Sequence, residues 1–218
     1  MKLLSLALLT PLLAAVALGA VPPKAKAKAE KPLPPCCRKL PAAGKPTETS
    51  LFQLESQWRS DAGKTVRLDV FGGRPVILTM FFSSCQFACP VLVHDLKRIE
   101  EALPPKLREQ VDFVLVTFDT EKDTPEVLSA FRERQGLDAA HWSLLVGKPD
   151  DTRELAALLG VNYTREPSGQ FAHSNTITVL NAQGEVAFQQ LGLNRDPADV
   201  VRALTAPTAP TASPAPSK

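Results

Sequence analysis

Positive charge is scarce through most of this 218-residue chain. Residues 46–206 carry 16 Lys and Arg against 22 Asp and Glu, a balance the formal net charge of +2 conceals. A body of that sign repels phosphate backbones, and no basic face interleaved with aromatics appears in it, which argues against nucleic acid as a partner. Arginine is missing from the first 37 residues, where eight Lys and Arg up to position 45 otherwise outnumber the single acid Glu30. Histidine occurs three times and cysteine four times, so each candidate metal ligand or nucleophile can be weighed singly.

Residues 1–20 read MKLLSLALLTPLLAAVALGA. One lysine precedes a long apolar run, broken at Pro11 and ending in small residues. Ala17 and Gly19, or Leu18 and Ala20, stand where a signal peptidase would cut. The pattern predicts an export signal of bacterial style, since a mitochondrial presequence would be rich in arginine. The run over residues 3–21 is also long enough to serve as an uncleaved anchor in the inner membrane. No cysteine follows the small residues, which argues against a lipoprotein start. Either outcome predicts a periplasmic, extracytoplasmic body in a compartment where disulfides persist, with membrane association only if the segment stays uncleaved.

Residues 21–47 are rich in Pro, Lys and Ala and offer nothing to bury, so a disordered spacer is expected. Residues 207–218, PTAPTASPAPSK, form a tail of the same character. Between them, residues 48–206 alternate strand and helix signals. VILTMFFSS (76–84) and VDFVLVTFD (111–119) are apolar throughout, as inner strands covered on both faces would be. Leu92, Leu96, Ile99 and Leu103 recur at helical spacing between them. Thr124, Pro125 and Gly136 are the cap, first residue and terminator of a second helix. A short strand over 142–147, a helix over 150–160, a hairpin over 175–191 and a helix over 197–206 follow. A further hairpin is expected upstream, over 51–68. This order predicts a three-layer α/β domain with a central mixed sheet, of thioredoxin type.

Cys85 lies just past the first inner strand, and Cys89 is expected to open the next helix with Pro90 at its first position. Sheets of this kind gather their sites at carboxyl strand ends. A helix N-terminus favours an anion, so Cys89 is expected to be the thiolate-prone member. Residues four apart on a helix hold their Cβ atoms about 5–6 Å apart, whereas a disulfide wants roughly 3.5–4.5 Å. Two sulfurs at the wider spacing can still reach one ion, and soft thiolates favour Cu(I) or zinc. A structural disulfide and a redox pair remain open at this point.

His173, in QFAHSNTIT, precedes the first strand of the late hairpin. If that strand runs antiparallel to the inner ones, His173 faces the cysteines across the same sheet edge. Asp119 closes the second inner strand on that edge, as a carboxylate supporting the ligands, a weak ligand, or a turn former. His94 falls opposite the helical stripe and is expected in solvent, and His141 has no partner in view. Cys36 and Cys37 are neighbours in the spacer, where a mutual disulfide would be strained. They are a second metal clip, partners for the core pair, or spare thiols.

The motifs SSCQFACP, VTFDTEKDTPEVL and FAHSNTITVLN, in this order over residues 48–205, resemble the Sco/SenC family of copper proteins. The resemblance implies a thioredoxin-like metallochaperone that is not primarily an enzyme. It implies copper, as Cu(I), Cu(II) or both, held by Cys85, Cys89 and His173, with Asp119 as a linked acid. It also implies a role in assembling the dinuclear copper site of cytochrome c oxidase. The partners implied are a copper-accepting oxidase subunit, other copper chaperones and thioredoxin-like reductants. One departure is Ala172 before the histidine, where many members carry an acid.

The competing expectation is a thiol–disulfide oxidoreductase using Cys85 and Cys89 as a redox-active disulfide. Such proteins resemble CxxC with a proline opposite, and here the facing segment reads AHSN. A peroxiredoxin would need threonine three residues before the cysteine, where Phe82 stands.

Overall fold

The computed structural model describes residues 47–205. The expected signal or anchor, nearly all of the spacer with Cys36 and Cys37, and the tail lie outside the described residues.

Seven strands form one mixed sheet: β1 (Trp58–Ser60), β2 (Thr65–Val66), β3 (Val76–Phe81), β4 (Asp112–Thr117), β5 (Trp142–Val146), β8 (Thr176–Leu180) and β9 (Val186–Leu191). Their spatial order is β2-β1-β5-β4-β3-β8-β9. The centre is parallel, with Val76 opposite Asp112 and Phe113 opposite Trp142. β8 runs antiparallel to β3, pairing Thr79 with Ile177. Every residue of β3, β4 and β8 is buried, which requires cover on both faces.

The cover comes from α1 (Ala88–Ala102), the single turn α2 (Pro105–Arg108), α3 (Pro125–Gln135), α4 (Pro149–Leu158) and α5 (Pro197–Thr205). Right-handed crossovers place α1 and α3 on the same face, where the Lys97 ammonium reaches the Gln135 carbonyl. The expected α3 signals act as read: Thr124 accepts the Val127 N–H at 3.4 Å, Pro125 is first, and Gly136 ends the helix at φ 59°. α4 crosses toward the far side of the sheet, where the Leu159 carbonyl accepts from the Gln189 amide.

Three expectations are corrected. The inner strands stop at Phe81 and Thr117, two or three residues early, where the Ser83 N–H leaves the ladder to donate to the Asp123 carboxylate, which also accepts from the Ser83 and Thr117 hydroxyls. The upstream hairpin is shorter than 51–68, since Leu51–Gln53 is a 3-10 turn capped by Ser50. A second, two-stranded sheet was not expected: β6 (Tyr163–Arg165) pairs with β7 (Phe171–His173). Its strands have three residues each and are half-exposed, too short for an alternation signal. Aromatic contacts hold it down, with Tyr163 stacked on Phe118 at 4.6 Å and Phe171 edge-on to Phe82 at 5.2 Å.

Candidate metal centre

Cys85 and Cys89 sit where β3 hands over to α1, at the carboxyl edge of the sheet. Both are free thiols, so the structural-disulfide alternative is not the state seen. They differ in exposure: Cys85 is half-buried and Cys89 is fully buried in the core.

The helix starts at Ala88, earlier than expected, with Phe87 as its cap and Pro90 in third place. Phe87 offers no side-chain acceptor to the first turn, and a sulfur fills that role. The Cys89 N–H donates to Cys85 Sγ at 3.3 Å. The helix N-terminus therefore favours negative charge on Cys85. This reverses the expected assignment of the thiolate. The Cys89 thiol donating to it is the main cause that brings Cys85 down to about 5, and backbone N–H groups of Cys89, Phe87 and Ala88 add to this against partial burial. Cys89 is pushed far up, by its hydrogen bond to Cys85 and then by burial, with Asp123 adding like charge.

A measurable asymmetry follows. In reduced protein, alkylation of Cys85 by iodoacetamide is expected to rise with pH through a midpoint near 5, while Cys89 stays unmodified until unfolding. Mass mapping of the labelled peptide across pH 4–9 checks it (about one unit of pH per point). A midpoint near the ordinary thiol value of about 8.5 contradicts the assignment.

His173 ends β7, and the antiparallel run of β8 behind it puts it on the same edge as the cysteines, as the sequence argument requires. Its ring packs 5.9 Å from Phe82, three residues before Cys85, and 5.0 Å from Phe118, next to Asp119. His173 Nδ1 donates to the Ser174 carbonyl at 3.2 Å. That bond places the proton on Nδ1 and leaves the Nε2 lone pair without a partner among the described residues, the form in which an imidazole ligates a metal. Among the described residues, no three His, Cys, Asp or Glu side chains are already gathered as a metal cluster. The thiols and the imidazole share an edge but not yet one coordination sphere.

Asp119 is buried two residues past β4. Its Oδ1 accepts the Lys122 N–H at 3.3 Å, the turn-forming role, while its Oδ2 is buried without any hydrogen-bond partner. Asn175 Oδ1 and Thr176 Oγ1, just beyond His173, are also without partners. Unpaired oxygens are costly to bury. The three residues lie at the sheet edge that also carries the two cysteines and His173.

Asp123 was not singled out from the sequence. It is buried, and its carboxylate accepts the Ser83 N–H at 3.0 Å and the hydroxyls of Ser83 and Thr117. Thr117 in turn accepts the Asp119 N–H at 3.0 Å. One carboxylate thus ties the cysteine loop to the Asp119 loop. The signal was present in FDTEKDTP, where two acids four apart follow an inner strand. His94 is exposed, as expected. His141 lies at the other edge of the sheet, with its Nδ1 buried and unpaired.

A mixed sheet with this helix placement, opening a cysteine pair at the start of α1, defines a thioredoxin-like domain. The sequence model of SCO1/SenC matches residues 44–207, and the chain belongs to that family. A Stutzerimonas stutzeri protein designated copper-binding is 27% identical over 145 residues, covering 65% of this chain and 69% of the relative. A SCO1/SenC family lipoprotein from Bacillus anthracis superposes with TM-score 0.64 at 23% identity, over 75% of this chain and 97% of that one. Yeast Sco1 with copper bound superposes with TM-score 0.57 at 21% identity, over 74% and 85%. At these identities the structural likenesses establish the fold.

Proposed function

We propose that this protein is an extracytoplasmic copper carrier that holds the ion through Cys85, Cys89 and His173 and delivers it to the dinuclear copper site of cytochrome c oxidase. The observation that carries the reading is the pairing of two reduced thiols with an imidazole whose Nε2 is free, on one edge of the sheet. Family membership supports it, as do the relative designated copper-binding and the copper-bound yeast structure. Two thiolates and one imidazole suit three-coordinate Cu(I), and the Asp119 carboxylate, a harder donor, would suit the oxidised ion.

Cys85 supplies the first thiolate from the exposed side. Cys89, buried and protonated, gives up its proton as it ligates, so loading releases acid. The two-stranded sheet then brings His173 inward to complete the set. Delivery runs in reverse, with acceptor ligands replacing His173 and Cys85 before the buried Cys89. No electron transfer is needed if the ion stays Cu(I).

The domain is proposed to span residues 48–206, outside the cytoplasm, exported or anchored by the N-terminal segment. No helix of the described residues is long and apolar enough to cross a membrane. The low thiol value of Cys85 supports a second reading, a thiol–disulfide oxidoreductase. In it, Cys85 attacks a target disulfide, and Cys89 resolves the mixed disulfide, leaving the target reduced and this pair oxidised.

Anaerobic Cu(I) titration of the reduced full chain against a competing chelator tests the proposal. One tightly held ion per chain, with acid release on loading, is expected. Absence of binding by fully reduced protein would sink the carrier reading and leave the redox one.

A further inference from the structure

Phe87 stands between the two cysteines, two residues from each, and is 84% exposed. No other large apolar side chain of the described residues is so open. A lone exposed leucine needs no explanation, but an aromatic ring at the mouth of a site does. Phe87 caps a 15-residue helix whose next residue but one, Cys89, is buried in the core, so the backbone that carries the ring is held in place.

The sheet topology adds two more apolar side chains on this edge. Val127, 37% exposed, lies in the first turn of α3, just after the Asp119 loop. Leu191, 65% exposed, ends β9 opposite Thr176, where β8 begins two strands from the thiols. Both lie on the carboxyl edge of the sheet, as Phe87 does.

We propose that Phe87 is the docking anchor for the acceptor protein, and that the acceptor carries an apolar pocket for one phenyl ring beside its own soft metal ligands. The inference rests on the carrier reading. An ion held by Cys85 and Cys89 leaves only when acceptor thiolates or imidazoles reach it at bonds of about 2.0–2.3 Å. An acceptor at that range must cover residues 85–89, and covering them buries Phe87. A ring that ends up buried in every productive encounter contributes to the encounter's stability, and aromatic anchors next to the centre of an interface carry much of its energy. On the loop that carries Asp119, Glu121 is already paired to Arg165 at 2.7 Å.

The test compares wild type with Phe87→Ala, which removes an exposed ring and keeps the helix. The acceptor probe is the soluble copper-site domain of the cytochrome oxidase subunit from the same genome. Four readings are taken: Cu(I) stoichiometry, copper release to a small chelator, copper transfer to the acceptor domain, and affinity of the copper-free reduced protein for that domain. The variant is expected to load one ion and release it to the chelator like wild type. Its transfer rate at limiting acceptor and its affinity for the acceptor are expected to fall about 10- to 100-fold. Unchanged transfer and affinity in a normally loading variant overturn the anchor while leaving the carrier reading intact. Wild type that takes up no copper overturns the carrier reading and the anchor with it. Phe87-dependent binding to lipid vesicles in place of the acceptor domain overturns the protein-docking assignment.

Discussion

Cys85→Ser is expected to abolish tight Cu(I) binding, and His173→Ala to weaken it while leaving a two-thiolate site. Cys85 is the only half-exposed sulfur of the described residues and the one favoured as thiolate by the start of α1. A serine hydroxyl there is a hard, protonated donor with little affinity for Cu(I). Its loss is expected to exceed the roughly 10–100-fold penalty seen when residues that merely orient a ligand are removed. His173 is different because it reaches the site from a separate two-stranded sheet. Removing its imidazole leaves both sulfurs in place, so Cu(I) stays bound at lower affinity and the Cu(II) absorption band shifts. Chelator competition and visible spectra on the two variants check both outcomes. Equal effects from both substitutions would contradict the division of roles.

Asp123→Ala is expected to cost about 3–5 kcal/mol of stability, more than any surface change. The carboxylate is buried and accepts from the Ser83 N–H, the Ser83 hydroxyl and the Thr117 hydroxyl. Alanine leaves three donors in the interior with nothing to bond, and opens the space the carboxylate filled. Urea unfolding at pH 7, with the m-value unchanged, measures the loss. Asp123→Asn keeps the shape and one acceptor oxygen, so a smaller loss is expected from it. Both substitutions loosen the loop that carries Cys85, so copper affinity falls alongside stability. A stable Asp123→Ala protein with weakened copper binding would instead place Asp123 among the groups acting on the ion itself.

Much of the fold was legible because the inner strands are unmixed apolar runs and α3 is bounded by standard capping residues. Thr124, Pro125 and Gly136 bound α3 by local chemistry alone. The late hairpin over 175–191 was legible as expected, and its turn closes on Asn181 and Gly184, whose φ of 83° needs glycine. The β6–β7 pair was not legible, because six strand residues held by stacking on Phe118 and Phe82 depend on contacts far away in sequence. The shared edge of Cys85, Cys89 and His173 could be deduced from strand direction. Which sulfur holds the charge could not, since that depends on Phe87 taking the cap and the chain before it curling Cys85 Sγ onto the Cys89 N–H. Asp123 escaped notice for the same reason: an acid in a polar loop reads as solvated until its burial is seen.

X-ray absorption at the copper edge of the Cu(I)-loaded full chain tests the central claim most directly. Two sulfur scatterers at about 2.3 Å and one nitrogen at about 2.0 Å are expected, with the nitrogen lost in His173→Ala and no such two-sulfur shell formed in Cys85→Ser. A shell of oxygen and nitrogen alone, or one unchanged in both variants, would contradict the assignment of these three residues.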